Sequence, residues 1–295
     1  MCVGFGSFAQ NHCMNTICIC GAGTMGSGIT QVAAISGYQA IQFDVNSDML
    51  EKSKRSIEKN LQWLLDKGKI SAKAKEECLN RIKFTDQLAD CVADLVIEAI
   101  IEKKEAKINL FNQLALINNK STILATNTSS ISVTEIASGL QYPERVIGMH
   151  FFNPAPIMKL VELIKTEQTS PDLLNAVVQL ANTMGKTPVI CKDAPGFIVN
   201  RVARHYYLEA MKLVEEGSAT FETIDAVMET SGFKMGPFKL MDLIGIDINY
   251  GVSNIVWEAL GQPERLTPSI IQKQKLDAGD LGRKTGQGFY KYSES

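Results

Sequence analysis

Thr16-Ile-Cys-Ile-Cys-Gly-Ala-Gly-Thr-Met-Gly26 is the stretch on which the fold turns. Thr16 to Cys20 reads as a buried strand, and a helical run through Ala34 follows the glycines. Strand, G-x-G-x-x-G and helix, in that order, is the context that gives the glycines a nucleotide meaning. Gly21 permits the tight turn, Gly23 lets the backbone approach a pyrophosphate, and Gly26 allows the helix to pack closely on the strand. Thr24 and Met25 open the helix, whose free N–H groups face the anion.

Downstream, Ala40-Ile-Gln-Phe43 reads as a second strand and ends at Asp44. An acid about 20 residues beyond the glycines accepts hydrogen bonds from the adenosine ribose. It also repels a 2′-phosphate, which favours NAD over NADP. The alternative is a solvated turn acid in Asp44-Val-Asn-Ser-Asp48. The pattern predicts an α/β fold, a Rossmann-type, mostly parallel sheet. Ser47 to about Lys67 reads as a helix with Ile57, Leu61, Leu64 and Leu65 on its apolar face. Gly68 breaks it, and Ser71 to Leu79 reads as a second helix, so a helical hairpin is inserted after the second strand. Lysines 52, 54, 59, 67 and 69 make the hairpin basic, either as a solvated face or as an attraction for an acidic ligand.

Asp94 to Glu98 continues the sheet, with Glu102 and Lys107 at the start of the next helix. On their own these two read as surface charges. Thr122-Ile-Leu-Ala125 is a further strand that empties into Thr126-Asn-Thr-Ser-Ser130. Small hydroxyl and amide groups there lie where open α/β sheets bind ligands, and one of them is expected to cap a helix over Ile131 to Glu135.

Two more runs, Val146 to His150 and Met158 to Ile164, flank the turn-forming Asn153-Pro-Ala-Pro156. A hairpin symmetric about Pro156 sets His150 opposite Glu162. A carboxylate beside an imidazole favours the imidazolium and fixes its tautomer, as a general base requires. A structural ion pair fits the same spacing equally well. Around Lys192-Asp-Ala-Pro195 the strand pattern stops, and helices follow over 196–216, 221–231, a run through Leu260 and another after Pro268. The expected organisation is an N-terminal extension over 1–14, a dinucleotide-binding domain over 15–194 and a smaller all-helical domain over 195–295. Leu208, Met211, Leu213 and Val214 form apolar stripes that suit either a tight bundle or a face buried against another chain.

The composition narrows the partners. The 295 residues are 45% hydrophobic and 21% charged with a net charge of −2, which disfavours nucleic acid. Seven cysteines form no Cys-x-x-Cys pair and read as reduced, mostly core thiols; Cys18 and Cys20 lie in a strand, where successive side chains take opposite faces. No metal site is expected. No run is long enough for a membrane span and no signal pattern opens the chain, so a cytoplasmic protein is expected. His12 falls in the extension, and His205 reads as packed or surface.

Gly-Ala-Gly-Thr-Met-Gly26, Thr126-Asn-Thr-Ser-Ser130, Gly148-Met-His-Phe-Phe-Asn-Pro-Ala-Pro156 and Ala194-Pro-Gly-Phe-Ile-Val-Asn-Arg201 together resemble the 3-hydroxyacyl-CoA dehydrogenase family. The likeness runs from about Asn15 to Tyr292, includes the tail Gly282-Arg-Lys-Thr-Gly-Gln-Gly-Phe-Tyr290, and is strongest to short bacterial members that act on 3-hydroxybutyryl-CoA. It implies His150 as catalytic base, Glu162 as its partner, Ser129 touching substrate oxygen and cofactor, and Asn200 as an active-site amide. It implies NAD contacts from Asp44, Glu102, Lys107, Asn127, Asn153 and Lys284, beside the glycine turn. Asn60 and Lys67 fall where the family contacts coenzyme A, although Asn60 is a departure because a serine stands there in relatives. A homodimer is implied through the second domain. Acyl chain length, pathway and strict NAD preference stay open, as do two alternatives: a dehydrogenase of a free hydroxy acid, and a crystallin-like NAD-binding protein without turnover.

Overall fold

The computed structural model describes residues 14–292, so the expected extension and His12 lie outside the described residues. The chain divides after Asp193 into two compact units.

In the first unit the strands are β1 (Thr16–Cys20), β2 (Gln39–Phe43), β3 (Ile82–Thr85), β4 (Leu95–Glu98), β5 (Ile123–Thr126), β6 (Val146–Phe151), β7 (Leu160–Lys165) and β8 (Thr187–Lys192). They form one sheet in the order β3-β2-β1-β4-β5-β6-β7-β8. Neighbours are parallel except β6 and β7. Every residue of β4, β5 and β6 is buried. This follows from covering a parallel sheet on both faces, and it explains the unbroken apolar runs in the sequence. Between β1 and β4 the strand order reverses, which opens a crevice at the strands' carboxyl edge.

The first unit's helices are α1 (Thr24–Ile35), α2 (Ser47–Asp66), α3 (Ala72–Asn80), α4 (Lys104–Ile117), α5 (Val133–Ser138) and α6 (Pro171–Thr183). Helices α2 and α3 are the expected inserted hairpin. Asn46 caps α2 by accepting from the backbone N–H groups of Asp48 and Met49, and Ser71 caps α3. Ile57 and Leu61 bury the inner face of α2 in the main core, with Leu64 packed against it. The α5 cap is Ser132, so this helix starts later than the hydroxyl-rich loop suggests. Neither β3 nor the α6–β8 pair stands out in the sequence. β3 has one buried residue of four and β8 one of six, so both lack the signature of a central strand.

The second unit holds α7 (Val199–Glu215), α8 (Phe221–Thr230), α9 (Pro237–Ile244), α10 (Ile246–Ala259) and α11 (Ile270–Ala278). The expected run through Leu260 is two helices because Gly245 sits at φ 105°, a turn that ends α9 and starts α10. Tyr207, Leu208, Met211, Phe238, Met241, Ile246 and Phe289 make its core. Leu208 and Met211 therefore face inward, whereas Leu213 is exposed. Two buried acids organise this unit. Asp225 accepts from the N–H groups of Phe238 and Lys239 at 2.9 and 3.0 Å, holding the start of α9. Asp242 accepts from Phe289 and Tyr290 N–H, both at 2.9 Å, and fastens the tail to the bundle. Among the described residues, no helix is long and apolar enough to cross a membrane.

Candidate active site

The glycine turn leaves β1 at the switch point. Gly21 has φ 111°, and a Cβ on it would lie 2.4 Å from the Ala99 carbonyl oxygen at the end of the neighbouring β4. A Cβ on Gly26 would meet the Gly21 carbonyl oxygen at 1.9 Å, so α1 approaches the turn as only glycine allows. Gly23 differs: no atom lies within 4 Å of where its Cβ would be. That is open space above a helix N-terminus, a cradle for a pyrophosphate.

Asp44, at the end of β2, accepts from the Ala22 N–H at 2.7 Å and the Asn46 N–H at 2.9 Å. It therefore fixes the turn from the strand end. Beneath it, buried Gln42 receives the Ser53 hydroxyl at 2.7 Å, tying β2 to α2. A cleft of about 320 Å³ runs from Gly23 and Thr24 past Lys52, Ser56 and Asn60 to Asn153. The cleft thus gathers four expected site residues, Gly23, Thr24, Asn60 and Asn153, within one unit. Lys52 and Ser56 join them unexpectedly; the only sequence signal for Lys52 was the basic run on α2. Asn60 donates to Gln31 at 3.3 Å. Lys67 follows the last turn of α2 and is exposed. Seven residues from Asn60, it lies close to the same helical face and about 10 Å further along the axis.

A second cluster forms where β4 and β5 end. Lys107, in the first turn of α4, is 1% exposed, so the surface reading of this lysine fails. Its ammonium pairs with Glu98 at 2.6 Å and Glu102 at 3.0 Å. Glu98 completes its shell with the Thr126 hydroxyl at 2.7 Å and the Ile100 N–H at 2.8 Å. Glu102 accepts from the Thr128 hydroxyl, the Ser129 N–H and the Ser130 hydroxyl at 2.6, 3.0 and 2.9 Å. Burial acts to raise the Glu102 carboxyl, but the Lys107 charge and these hydroxyls outweigh it and hold the group below the ordinary carboxylate range. Sequence reasoning missed Glu98, which looks like the last residue of an ordinary strand.

The β6–β7 register pairs His150 directly with Glu162. His150 Nδ1 lies 2.8 Å from the Glu162 carboxylate, with the residues 5% and 1% exposed. Asn127 receives the Phe151 N–H at 2.8 Å, which locks the loop after β5 to the histidine strand. Asn153 precedes a cis proline, and the buried Lys186 ammonium holds this turn by donating to the carbonyls of Ala155 and Met158. Because β1, β4, β5 and β6 are parallel, the glycine turn, the Ser129 loop and His150 all occupy one edge of the sheet.

Two expected residues belong to the second unit. Asn200 is the second residue of α7, and its carbonyl accepts from the Arg204 side chain at 3.0 Å. Lys284 sits in the tail loop, paired with both oxygens of Asp247 at 2.6 Å. His205 is exposed.

A glycine turn at the switch point of a mostly parallel sheet defines a dinucleotide-binding fold, and the buried histidine–carboxylate pair lies on the same sheet edge. Residues 16–194 match the 3-hydroxyacyl-CoA dehydrogenase NAD binding domain, and residues 196–292 match the same enzymes' C-terminal domain. The chain belongs to the 3-hydroxyacyl-CoA dehydrogenase family, and NAD is its cofactor. It is 45% identical to the 3-hydroxyadipyl-CoA dehydrogenase of Escherichia coli over 94% of this chain, though it spans only 59% of that protein. It is 44% identical to a probable 3-hydroxybutyryl-CoA dehydrogenase of Deinococcus radiodurans, covering 93% of this chain and 99% of the relative. The solved (S)-3-hydroxybutyryl-CoA dehydrogenase of Ralstonia eutropha superposes with a TM-score of 0.91 at 37% identity, covering 96% of this chain and all of that one.

Proposed function

We propose that the protein oxidises (3S)-3-hydroxyacyl-CoA thioesters, 3-hydroxybutyryl-CoA among them, to 3-oxoacyl-CoA, and runs in reverse when NADH is abundant. The observation that carries this reading is the buried His150–Glu162 pair on the same sheet edge as the glycine turn. NAD supplies the hydride acceptor when bound. With Nδ1–H given to Glu162, His150 holds its basic lone pair at Nε2 and takes the substrate's hydroxyl proton there. Glu162 stabilises the imidazolium that results. Ser129, oriented through its backbone by Glu102, and Asn200 hold the substrate oxygen where charge develops in the reductive direction. Asn127, Asn153, Glu102, Lys107 and Lys284 complete the cofactor's surroundings, and Asn60 with Lys67 takes the coenzyme A portion along α2.

In this division of labour residues 15–194 carry most of the cofactor contacts and the coenzyme A contacts on α2, while residues 195–295 serve substrate binding through Asn200, add Lys284 to the cofactor and dimerise. The deciding experiment follows NADH absorbance with acetoacetyl-CoA and with longer 3-oxoacyl-CoAs. Turnover with at least one thioester is expected, and none with any of them would overturn the proposal. Activity on free 3-oxo acids undiminished by loss of the CoA moiety would favour a hydroxy-acid dehydrogenase instead.

Asp44 sets the cofactor preference. Asp44→Asn is expected to weaken NADH binding roughly ten- to hundredfold, the range for hydrogen bonds to a charged group. NADPH affinity should rise relative to NADH once the charge is gone. Fluorescence titration with both cofactors reads the ratio, and an unchanged ratio would place Asp44 outside the ribose site.

A further inference from the structure

Three thiols converge beneath the glycine turn, and the dehydrogenase chemistry uses none of them. Cys18 and Cys20 stand two residues apart in β1, so both project from the same face of the sheet. Cys91, in the segment that leads into β4, closes on them from a distant part of the chain. The Cys18 and Cys20 sulfurs are 3.9 Å apart, and all three sulfurs lie within 4.8 Å of one another. Each residue is fully buried and each thiol is free.

The Cys18–Cys20 spacing is what a shared metal ion imposes, and the Cys91 sulfur lies within 4.8 Å of both. Zinc–sulfur bonds of about 2.3 Å separate the sulfurs of a tetrahedral or trigonal site by about 3.8–4.0 Å. A buried cysteine commonly acts as a small hydrophobe, and Ile17 and Ile19 show that apolar residues suit the opposite face of β1. Packing accounts for each cysteine singly, without requiring that the three sulfurs meet. Cys91 lies next in the chain to the exposed Val92 and follows the turn Leu88–Asp90.

From this geometry we infer that Cys18, Cys20 and Cys91 form a three-sulfur site for a soft, thiophilic metal ion of the zinc, cadmium or copper(I) kind. Binding forms three sulfur–metal bonds as the thiols release their protons to solvent, with no change of oxidation state. The ion sits next to the pyrophosphate turn, because Cys20 directly precedes Gly21 and its carbonyl accepts from Ala99 N–H at 2.7 Å.

Cadmium(II) is the probe. The full chain carrying Cys2→Ala, Cys13→Ala, Cys78→Ala and Cys191→Ala retains only the triad. Anaerobic titration of this chain should give thiolate-to-cadmium charge-transfer absorption saturating at one ion per chain, with three sulfur ligands by X-ray absorption. Adding Cys91→Ser should weaken binding by roughly 100-fold, the upper end of what losing even a supporting partner costs a metal site, while metal-free NADH binding shows that both chains are folded. No charge-transfer band, or equal affinity without Cys91, overturns the site. Should the multiply substituted chain fail to fold, the otherwise unaltered chain is compared with single Cys91→Ser. Their cadmium stoichiometries must then differ by one, and identical values overturn the inference.

Discussion

His150→Gln is expected to lower kcat by roughly 10²–10⁴-fold, the contribution of a positioned general base, while NADH binding stays nearly intact. The imidazole reaches the Glu162 carboxylate at 2.8 Å in a site where both residues are almost wholly buried. A glutamine amide is of similar size and can still donate to that carboxylate, so the hairpin keeps its buried hydrogen bond. It has no basic nitrogen with which to accept the substrate's proton. The substitution thus separates the two readings that the spacing alone left equal. A catalytic pair loses turnover and keeps the fold; a structural pair loses little of either. Stopped-flow reduction of acetoacetyl-CoA beside equilibrium NADH titration makes the comparison. Turnover within a few-fold of the parent, or cofactor binding lost in parallel with turnover, would remove His150 from the base role.

How far the sequence anticipates this site depends on whether a residue's role is local. The glycine turn is legible because strand, turn and helix are consecutive, and the close approach of Gly26 to the Gly21 carbonyl is a short-range event. The His150–Glu162 pairing follows if the hairpin is symmetric about Pro156, but the loop from Phe152 to Lys159 leaves the register open in the sequence, and a one-residue slip would put Glu162 on the face away from His150. Glu98 and Lys107 defeat the same approach. They are nine residues apart, one ending a strand and one beginning a helix, and only the β4–α4 connection makes them neighbours. Cys91 meets Cys18 and Cys20 solely through the strand crossover, so no spacing rule for metal ligands detects it. β3 and β8, at the sheet margins, carry only weak apolar patterns, which no periodicity marks as strands. Lys284 was recognised by its motif, but its pairing with Asp247 on α10 is a tertiary fact.

Lys107→Met should destabilise the protein by about 3–5 kcal/mol, the usual cost of leaving one member of a buried ion pair without its partner. Lys107 and Glu98 are 1% and 0% exposed as side chains, so water cannot replace the lost ammonium. The Thr126 hydroxyl and Ile100 N–H remain on Glu98, yet they bring dipoles and no countercharge. Removing the buried charge as well should reverse most of the loss. Glu98→Gln combined with Lys107→Met leaves neutral groups of similar volume, and replacing a buried pair in this way is often close to neutral. Urea unfolding of the two single variants and the double variant gives the coupling energy directly. Turnover should recover less completely than stability, because Lys107 also anchors Glu102 at 3.0 Å and Glu102 holds the Ser129 backbone. A double variant restored in both stability and kcat would show that the lysine neutralises a buried acid and does not position the serine loop.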